Sequence, residues 1–507
     1  MVYRGKPSPS CAVCTGYRDQ SDFGFQDQSE EVVRNYHQSA KKKGKEKEKE
    51  KRSITSSPIL PSTTTGTLVT PASSPPSAGS PPRSLATSVQ DIARGYLYTN
   101  YMTGGPRTRY MAYLVPLMED RQNRALDAAV TAVALAALSN IHASPRTMLK
   151  AHVEYSTALS ATNQALRDPN ICKRDDVLAA VVMLGIFEIV SCTDTSFIDR
   201  WMNHLDGAAK LLEARGPEQL SRPEGLDMFT QLRAQITLSE IYQQRHSAPI
   251  LAQLTEQVHC YRDAKDHILD QLGSIVIKLA NFCANVKEGR FEKPVEIIRT
   301  ALSIDAAFVS LLIIAPSAWS YTIAKVPTAH SATLAPHIWG PTYHIYKSIA
   351  ASSMWNNYRC ARILIQELIL DTLDGISAST ERDIAFPQRH TLELQCRQTA
   401  LQLVEDICAS VPFSLGSEME MEIASNKSAD SAAANSPACA GVAISGSGGL
   451  TLMWPLLVAA NSGVAPKDLR NWIAGSLNKI GHSMGINQAL AMSKLLQDQM
   501  KTRAWLS

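Results

Sequence analysis

The chain is 507 residues long and 45% hydrophobic, enough apolar content for roughly two or three domains' worth of core, which excludes a small peptide held together by disulfides or metal alone. Fifty Lys and Arg against 47 Asp and Glu leave a formal charge of +3, too balanced for overall charge to drive nucleic-acid binding, so any basic surface has to be local. No apolar stretch reaches the ~18 uninterrupted residues a bilayer-spanning helix needs, and the best, Ala128 to Leu138 and Val177 to Phe187, are well short of it. They read as buried helices, and no membrane partner is expected. The N-terminus, Met-Val-Tyr-Arg-Gly-Lys-Pro, has no apolar segment of the secretory type behind it, and ten scattered cysteines fit a reducing compartment with most thiols buried.

In chain order, the first 84 residues stand apart, carrying 13 basic and 8 acidic residues. The positive charge is focused at Lys41, Lys42, Lys43, Lys45, Lys47, Lys49, Lys51 and Arg52. Gly44 and the proline-rich stretch that follows make this a mobile basic tract, read either as a nuclear-import or phosphate-contacting segment or as a solvated linker. In Ser53 to Ser84, 22 of 32 residues are Ser, Thr or Pro, too little apolar surface to offset the entropy of ordering, so residues 21–84 are expected to be a disordered linker.

From 85 to 507 the pattern becomes helical, because Ala, Leu, Met, Gln and Glu outweigh Val, Thr and the aromatics. Helices are predicted at about 88–103, 109–119, 123–142, 145–167, 174–193 and 196–214. The stops are Gly104-Gly105-Pro106, Ser144-Pro145, Asp168-Pro169-Asn170 and Gly216-Pro217. Asp175 and Asp176 place negative charge at a helix N-terminus, and Gly216 is a natural residue just past a helix end. Further helices are predicted at about 225–244, 250–286, 293–314, 341–375, 390–410, 451–461, 466–482 and 486–503. A loose excursion is expected at about 417–449, with Gly446 to Gly449 as linker. The fold class is therefore all-α, an irregular multi-helix domain behind a disordered N-terminal region.

No phosphate-binding loop, nucleophile elbow, HExxH or dinucleotide-binding glycine pattern occurs, and no nucleophile, base and orienter can be assembled, so no enzyme is expected. His330, His337 and His344 recur every seven residues, but Pro336, Gly340 and Pro341 forbid the helix that would align them. His259, Cys260 and His267 fit one helix yet offer no clear fourth ligand. Cys172, Cys192, Cys283, Cys360, Cys396 and Cys408 show no paired spacing and read as core residues. Cys11 and Cys14 alone have metal-ligand spacing, and two ligands do not hold a structural zinc.

Several stretches nevertheless resemble the fungal Zn₂Cys₆ (C6 zinc-cluster) transcription factors. Tyr3 to Cys14 is similar to the lead-in and first cysteine pair of the cluster, while Cys14-Thr15-Gly16-Tyr17-Arg18-Asp19 resembles the family's exit from it. Start and end are fused, so that residues 1–20 look like a cluster remnant from which four cysteines and the basic recognition segment are missing. Trp201 to Gly216, with Trp201, His204, Gly207, Ala208, Leu211, Leu212, Arg215 and Gly216 at the matching positions, resembles the W-x-x-H-x-x-G-A-x-x-L-L-x-x-R-G signature of the fungus-specific transcription factor domain. Ile407 to Pro412, Trp454-Pro455-Leu456, Arg470 to Ile473 with Trp472, and Ile480 to Ile486 with Gly481 and Gly485 follow in the family's order.

The resemblance implies a nuclear regulator of RNA polymerase II genes, possibly a metabolic set, that binds zinc and DNA, dimerises with itself or relatives and contacts the transcription machinery. This chain, lacking the groove-reading element, is expected neither to hold the full cluster nor to recognise a DNA sequence, since phosphate contacts from 41–52 alone are sequence-independent. The alternative reading is a helical interaction protein that modulates full-length relatives without touching DNA. On their spacing, the signature residues form a packing stripe rather than a catalytic set. Trp454 and Trp472 read as packing anchors, with a small-effector cavity between helices as the other reading.

Overall fold

The computed structural model describes residues 87–103, 109–119, 123–192, 197–326, 338–376, 386–416 and 446–498. Cys11, Cys14 and the basic tract from Lys41 to Arg52 lie outside the described residues, as do His330 and His337. The described chain is all-α apart from one hairpin. Its first half comprises α1 (Val89–Leu97), α2 (Leu114–Glu119), α3 (Arg124–Ile141), α4 (Pro145–Leu166), α5 (Asp175–Ser191), α6 (Phe197–Arg215), α7 (Pro223–Gln243) and α8 (Pro249–Gln257). The second comprises α9 (His267–Lys287), α10 (Pro294–Ile314), strands β1 (Tyr321–Lys325) and β2 (Thr342–Tyr346), α11 (Ile349–Asp374), α12 (Phe386–Leu415), α13 (Gly446–Asn461), α14 (Lys467–Met484) and α15 (Asn487–Gln497).

Local chemistry explains several helix starts. The Ser88 hydroxyl accepts from the Asp91 amide at 3.1 Å to start α1, and the Asn123 side chain accepts from the Ala125 and Leu126 amides at 2.9 and 3.3 Å to start α3. Proline opens α4, α7, α8 and α10, where its missing N–H is no loss. The alanine-rich α3 is buried on nearly every side, and small side chains let α1, α4 and α5 pack closely around it.

Five sequence expectations are corrected. The continuous helix at 250–286 divides into α8 and α9, with two short 3₁₀ turns between them. The helix at 341–375 gives up its first turn to β2, because Thr342-Tyr343-His344-Ile345-Tyr346 is β-branched and aromatic and pairs antiparallel with β1, Tyr346 opposite Tyr321. The helix at 390–410 continues as α12 through Pro412 to Leu415, where Gly416, at φ +77°, ends it. Gly446 to Gly449 is not linker but the buried first turn of α13. Its glycines serve close approach: a Cβ on Gly448 would stand 1.7 Å from the Ser414 carbonyl oxygen. Finally, α3 and α10 are both long and apolar enough to span a bilayer by length and composition. The first is mostly buried, whereas α10 leaves Leu312, Ile313 and Ile314 exposed.

Two hydrophobic cores result. One is built mainly from α1 to α8, the other from α9 to α15 with the hairpin, and Ile189, Leu450 and Trp454 pack against both. Burial of this aliphatic and aromatic surface is the main stabilising term for each half.

Candidate functional site

The signature helix α6 carries its apolar residues at three- and four-residue steps, and these positions face inward. Trp201, Leu205, Gly207, Ala208, Leu211, Leu212 and Arg215 are buried, while Asn203, Lys210 and Glu213 are exposed. Gly216 closes the helix in the left-handed region, at φ +67°, with its amide donating to the Leu212 and Glu213 carbonyls at 3.2 Å each. His204 is a boundary histidine: its Nε2 lies 3.0 Å from Oε1 of Glu188 on α5, which also accepts from the Tyr155 hydroxyl on α4 at 3.0 Å. Three helices are thereby tied at one carboxylate.

Arg215 is buried, and its guanidinium leaves its own helix end for the start of α5. It donates to the Asp175 carboxylate, to the Lys173 and Arg174 carbonyls at 2.8 and 2.6 Å, and to Oε1 of Gln219 at 3.2 Å. Asp175 is shared with the half-exposed Arg222. A position next to a helix C-terminus suits an arginine through the helix dipole and leaves it able to pair with a carboxylate. The fold uses the planar fork for a bridge between α6 and α5, a task a lysine ammonium cannot match.

Trp201 and Trp454, 253 positions apart, stack at 4.6 Å between ring centroids and an interplanar angle of 32°. Tyr242 meets Trp454 edge-on at 6.3 Å. Beside this stack, at the seam of the two cores, lies a cavity of about 420 Å³ with walls drawn from α5, α6, α7, α9, α11 and α13 and from Gln488 of α15. Signature residues Trp201, His204, Ala208, Trp454 and Pro455 all line it. The two guanidinium groups of the wall are ion-paired within the protein. The Arg233 guanidinium donates to Asp270 at 3.2 Å and to the Leu269 carbonyl at 2.8 Å, and Arg262 approaches the other Asp270 oxygen at 3.0 Å. Burial, opposed by Asp270, pulls Arg233 down to about 10. Asp266 accepts from the Trp319 indole at 3.0 Å. Gln488 differs: it is 1% exposed, and among the described residues neither of its amide atoms has a hydrogen-bond partner.

The remaining signature positions act elsewhere. Trp472 is half-buried and lies 6.0 Å from Trp339, away from the cavity. Gly481 lets α15 approach, since a Cβ there would come within 2.3 Å of Leu490. Gly485 caps α14 at φ +71°, and its carbonyl accepts from the Asn140 side chain at 2.8 Å; Asn140 also donates to the Val190 carbonyl at 2.8 Å, joining α3, α5 and α14.

His259 and Cys260 sit on a 3₁₀ turn and His267 on α9, with the two rings edge-on at 6.4 Å, so the three do not share a helix face. Cys192, Cys283, Cys360, Cys396 and Cys408 are buried free thiols, while Cys172 is half-buried. His344 belongs to a second polar cluster that the sequence did not single out. The buried Arg359 guanidinium donates to the Tyr346 hydroxyl at 2.7 Å and Asn356 Oδ1 at 2.9 Å, and lies 3.3 Å from His344 Nδ1. Tyr321 offers its ring face to Arg359 at 5.2 Å. Burial, with Arg359 adjacent, pushes His344 down to about 3, outweighing half-buried Asp406 at 3.9 Å from Nε2.

Residues 93–244, which run from α1 to the start of the α7–α8 connection and contain the signature helix, match the fungal specific transcription factor domain. The chain is similar to transcription factor dbaG of Emericella nidulans, 23% identical over 354 residues that cover 68% of this chain and 76% of that protein. It is also similar to uncharacterized protein AN5342 of the same organism, 28% identical over 145 residues, or 27% of this chain and 30% of that one. No solved structure matches the chain. These likenesses support a fungal transcription regulator and not an enzyme.

Proposed function

We propose that the protein is a nuclear transcription regulator of the fungal C6 zinc-cluster class, acting on RNA polymerase II genes, whose helical body supplies regulation rather than DNA recognition. The observation that carries this reading is the signature helix: its Trp201, Ala208, Leu212 and Arg215 are buried at the heart of the segment that matches the transcription factor domain. Cys11 and Cys14 are what this chain offers toward a cluster, and a Zn₂Cys₆ centre needs four further thiolates, so zinc is not expected to be fully held. The residues Lys41 to Arg52 would serve nuclear import or phosphate contact.

The same cysteine shortfall favours a second reading, in which the body works through homo- or heterodimers with complete relatives and the transcription machinery without touching DNA. Two measurements separate the readings. Full-length transcripts across codons 8 to 20 are compared with genomic DNA, and the purified 507-residue product is assayed for zinc and for mobility shift on promoter fragments. Restoration of four cysteines and a basic segment in a longer transcript makes this chain a shortened form of a DNA-binding regulator. A sole fused transcript, zinc-free and DNA-blind but co-purifying with a complete relative, supports the second reading. Unchanged transcript profiles on deleting the gene and on overexpressing the chain would overturn both.

A further inference from the structure

Protein interiors are packed to the density of organic crystals, and a void of about 420 Å³ at the junction of two cores forfeits the contacts its lining atoms would otherwise make. That volume lies within the range of small-molecule pockets, roughly 300 to 1,000 Å³. Gly185 leaves room on one side, since a Cβ there would meet nothing closer than His204 at 3.7 Å. The exposed Asp227 and Ala350 mark a rim through which the space reaches the surface.

The wall chemistry narrows what fits. Val181, Leu238 and Met354 supply aliphatic surface, and the Trp201–Trp454 stack adds broad aromatic surface. The guanidinium cations of the wall are already met, since Arg233 and Arg262 both face Asp270. An anionic ligand would lose its hydration without gaining a free counter-charge. The Gln488 amide, by contrast, is a donor and an acceptor side by side, buried and unpartnered, and an unmet buried amide is a cost that a ligand removes by pairing with it.

We propose that this cavity is a binding site for an uncharged, planar, mainly apolar small molecule carrying a carbonyl or hydroxyl group that pairs with Gln488. Because its walls come from both cores, occupancy stabilises their junction. That this occupancy serves as the effector signal of a regulator rests on the functional reading above; binding itself does not.

The test uses the purified full chain and the uncharged naphthalene ketone Prodan, whose emission shifts to the blue in an apolar site, with the anionic dye 8-anilinonaphthalene-1-sulfonate as comparator. Saturable one-to-one Prodan binding is expected, with the anionic dye at least about tenfold weaker. Gln488→Leu is expected to raise the melting midpoint of the empty protein, since it removes the unmet amide, and to weaken Prodan about tenfold. Gly185→Leu, which projects into the space, is expected to abolish binding; if circular dichroism shows that it does not fold, Gln488→Leu decides. Non-saturable binding, equal affinity for the anionic dye, or unchanged Prodan affinity in Gln488→Leu overturns the proposal. The readout contains no transcription step, so a failed regulator assignment and an unoccupied cavity give different results.

Discussion

Replacing Arg215 by alanine isolates what the signature arginine does. Its side chain is fully buried and reaches four acceptors: the Asp175 carboxylate, the Lys173 and Arg174 carbonyls, and Oε1 of Gln219. Removing one partner of a buried ion pair costs about 3 to 5 kcal/mol, because the other charge stays behind uncompensated. Asp175 keeps Arg222, whose side chain is 42% exposed, so the loss belongs at the lower end, about 3 kcal/mol. Arg215→Lys restores a charge but not the planar fork, and is expected to lose about 2 kcal/mol. Arg222→Ala, at the solvent edge of the same carboxylate, is expected to cost no more than about 1 kcal/mol. Urea denaturation followed by tryptophan fluorescence gives these differences. A cycle with Asp175→Asn should return about 1 to 3 kcal/mol of coupling. A loss below about 1 kcal/mol for Arg215→Ala, or one equal to that of Arg222→Ala, would refute the assignment of Arg215 as the bridge between α5 and α6.

Gly485→Ala should destabilise by about 2 to 4 kcal/mol, since φ is +71° and the new Cβ would lie 2.4 Å from the Ala137 carbonyl oxygen, while Gly475→Ala on the exposed face of α14 should stabilise by about 0.5 to 1 kcal/mol; equal melting midpoints for the two would contradict this. His344 is held neutral down to about pH 3 but takes a proton near 6.5 once unfolded, so its contribution is fully present above pH 6.5 and is lost as pH falls toward 3. Unfolding free energies from urea titrations should therefore fall by an extra ~1.1 kcal/mol per pH unit on average between pH 6.5 and 5, a slope that His344→Gln removes, and parallel profiles for the two proteins would sink the argument. Trp201→Ala and Trp454→Ala should each cost about 3 to 5 kcal/mol, with a coupling of about 0.5 to 1.5 kcal/mol in the double variant. Strict additivity would mean that the stack contributes only its burial.

How much of this could be read along the chain depends on the range of the interaction. The all-helical body, the break at Gly216-Pro217 and the buried stripe of α6 rest on periodicity and on propensities of adjacent residues, which the linear order displays directly. The β2 strand was legible too, in the β-branched and aromatic run from Thr342 to Tyr346, but proline and glycine on its flanks were read as helix limits instead. Gly446 to Gly449 has the composition of a linker, and only the approach of Ser414 and Tyr101 turns its missing side chains into helix packing. The same holds for the functional candidates. Trp201 and Trp454 were each visible, but their stacking was not. The pairing of Arg215 with Asp175, the unmet amide of Gln488 and the cavity it lines have no local signal at all. They exist because helices distant in sequence meet at one seam, and whether side chains there fill the space, satisfy one another or leave a gap is decided by their joint packing, not by any segment alone.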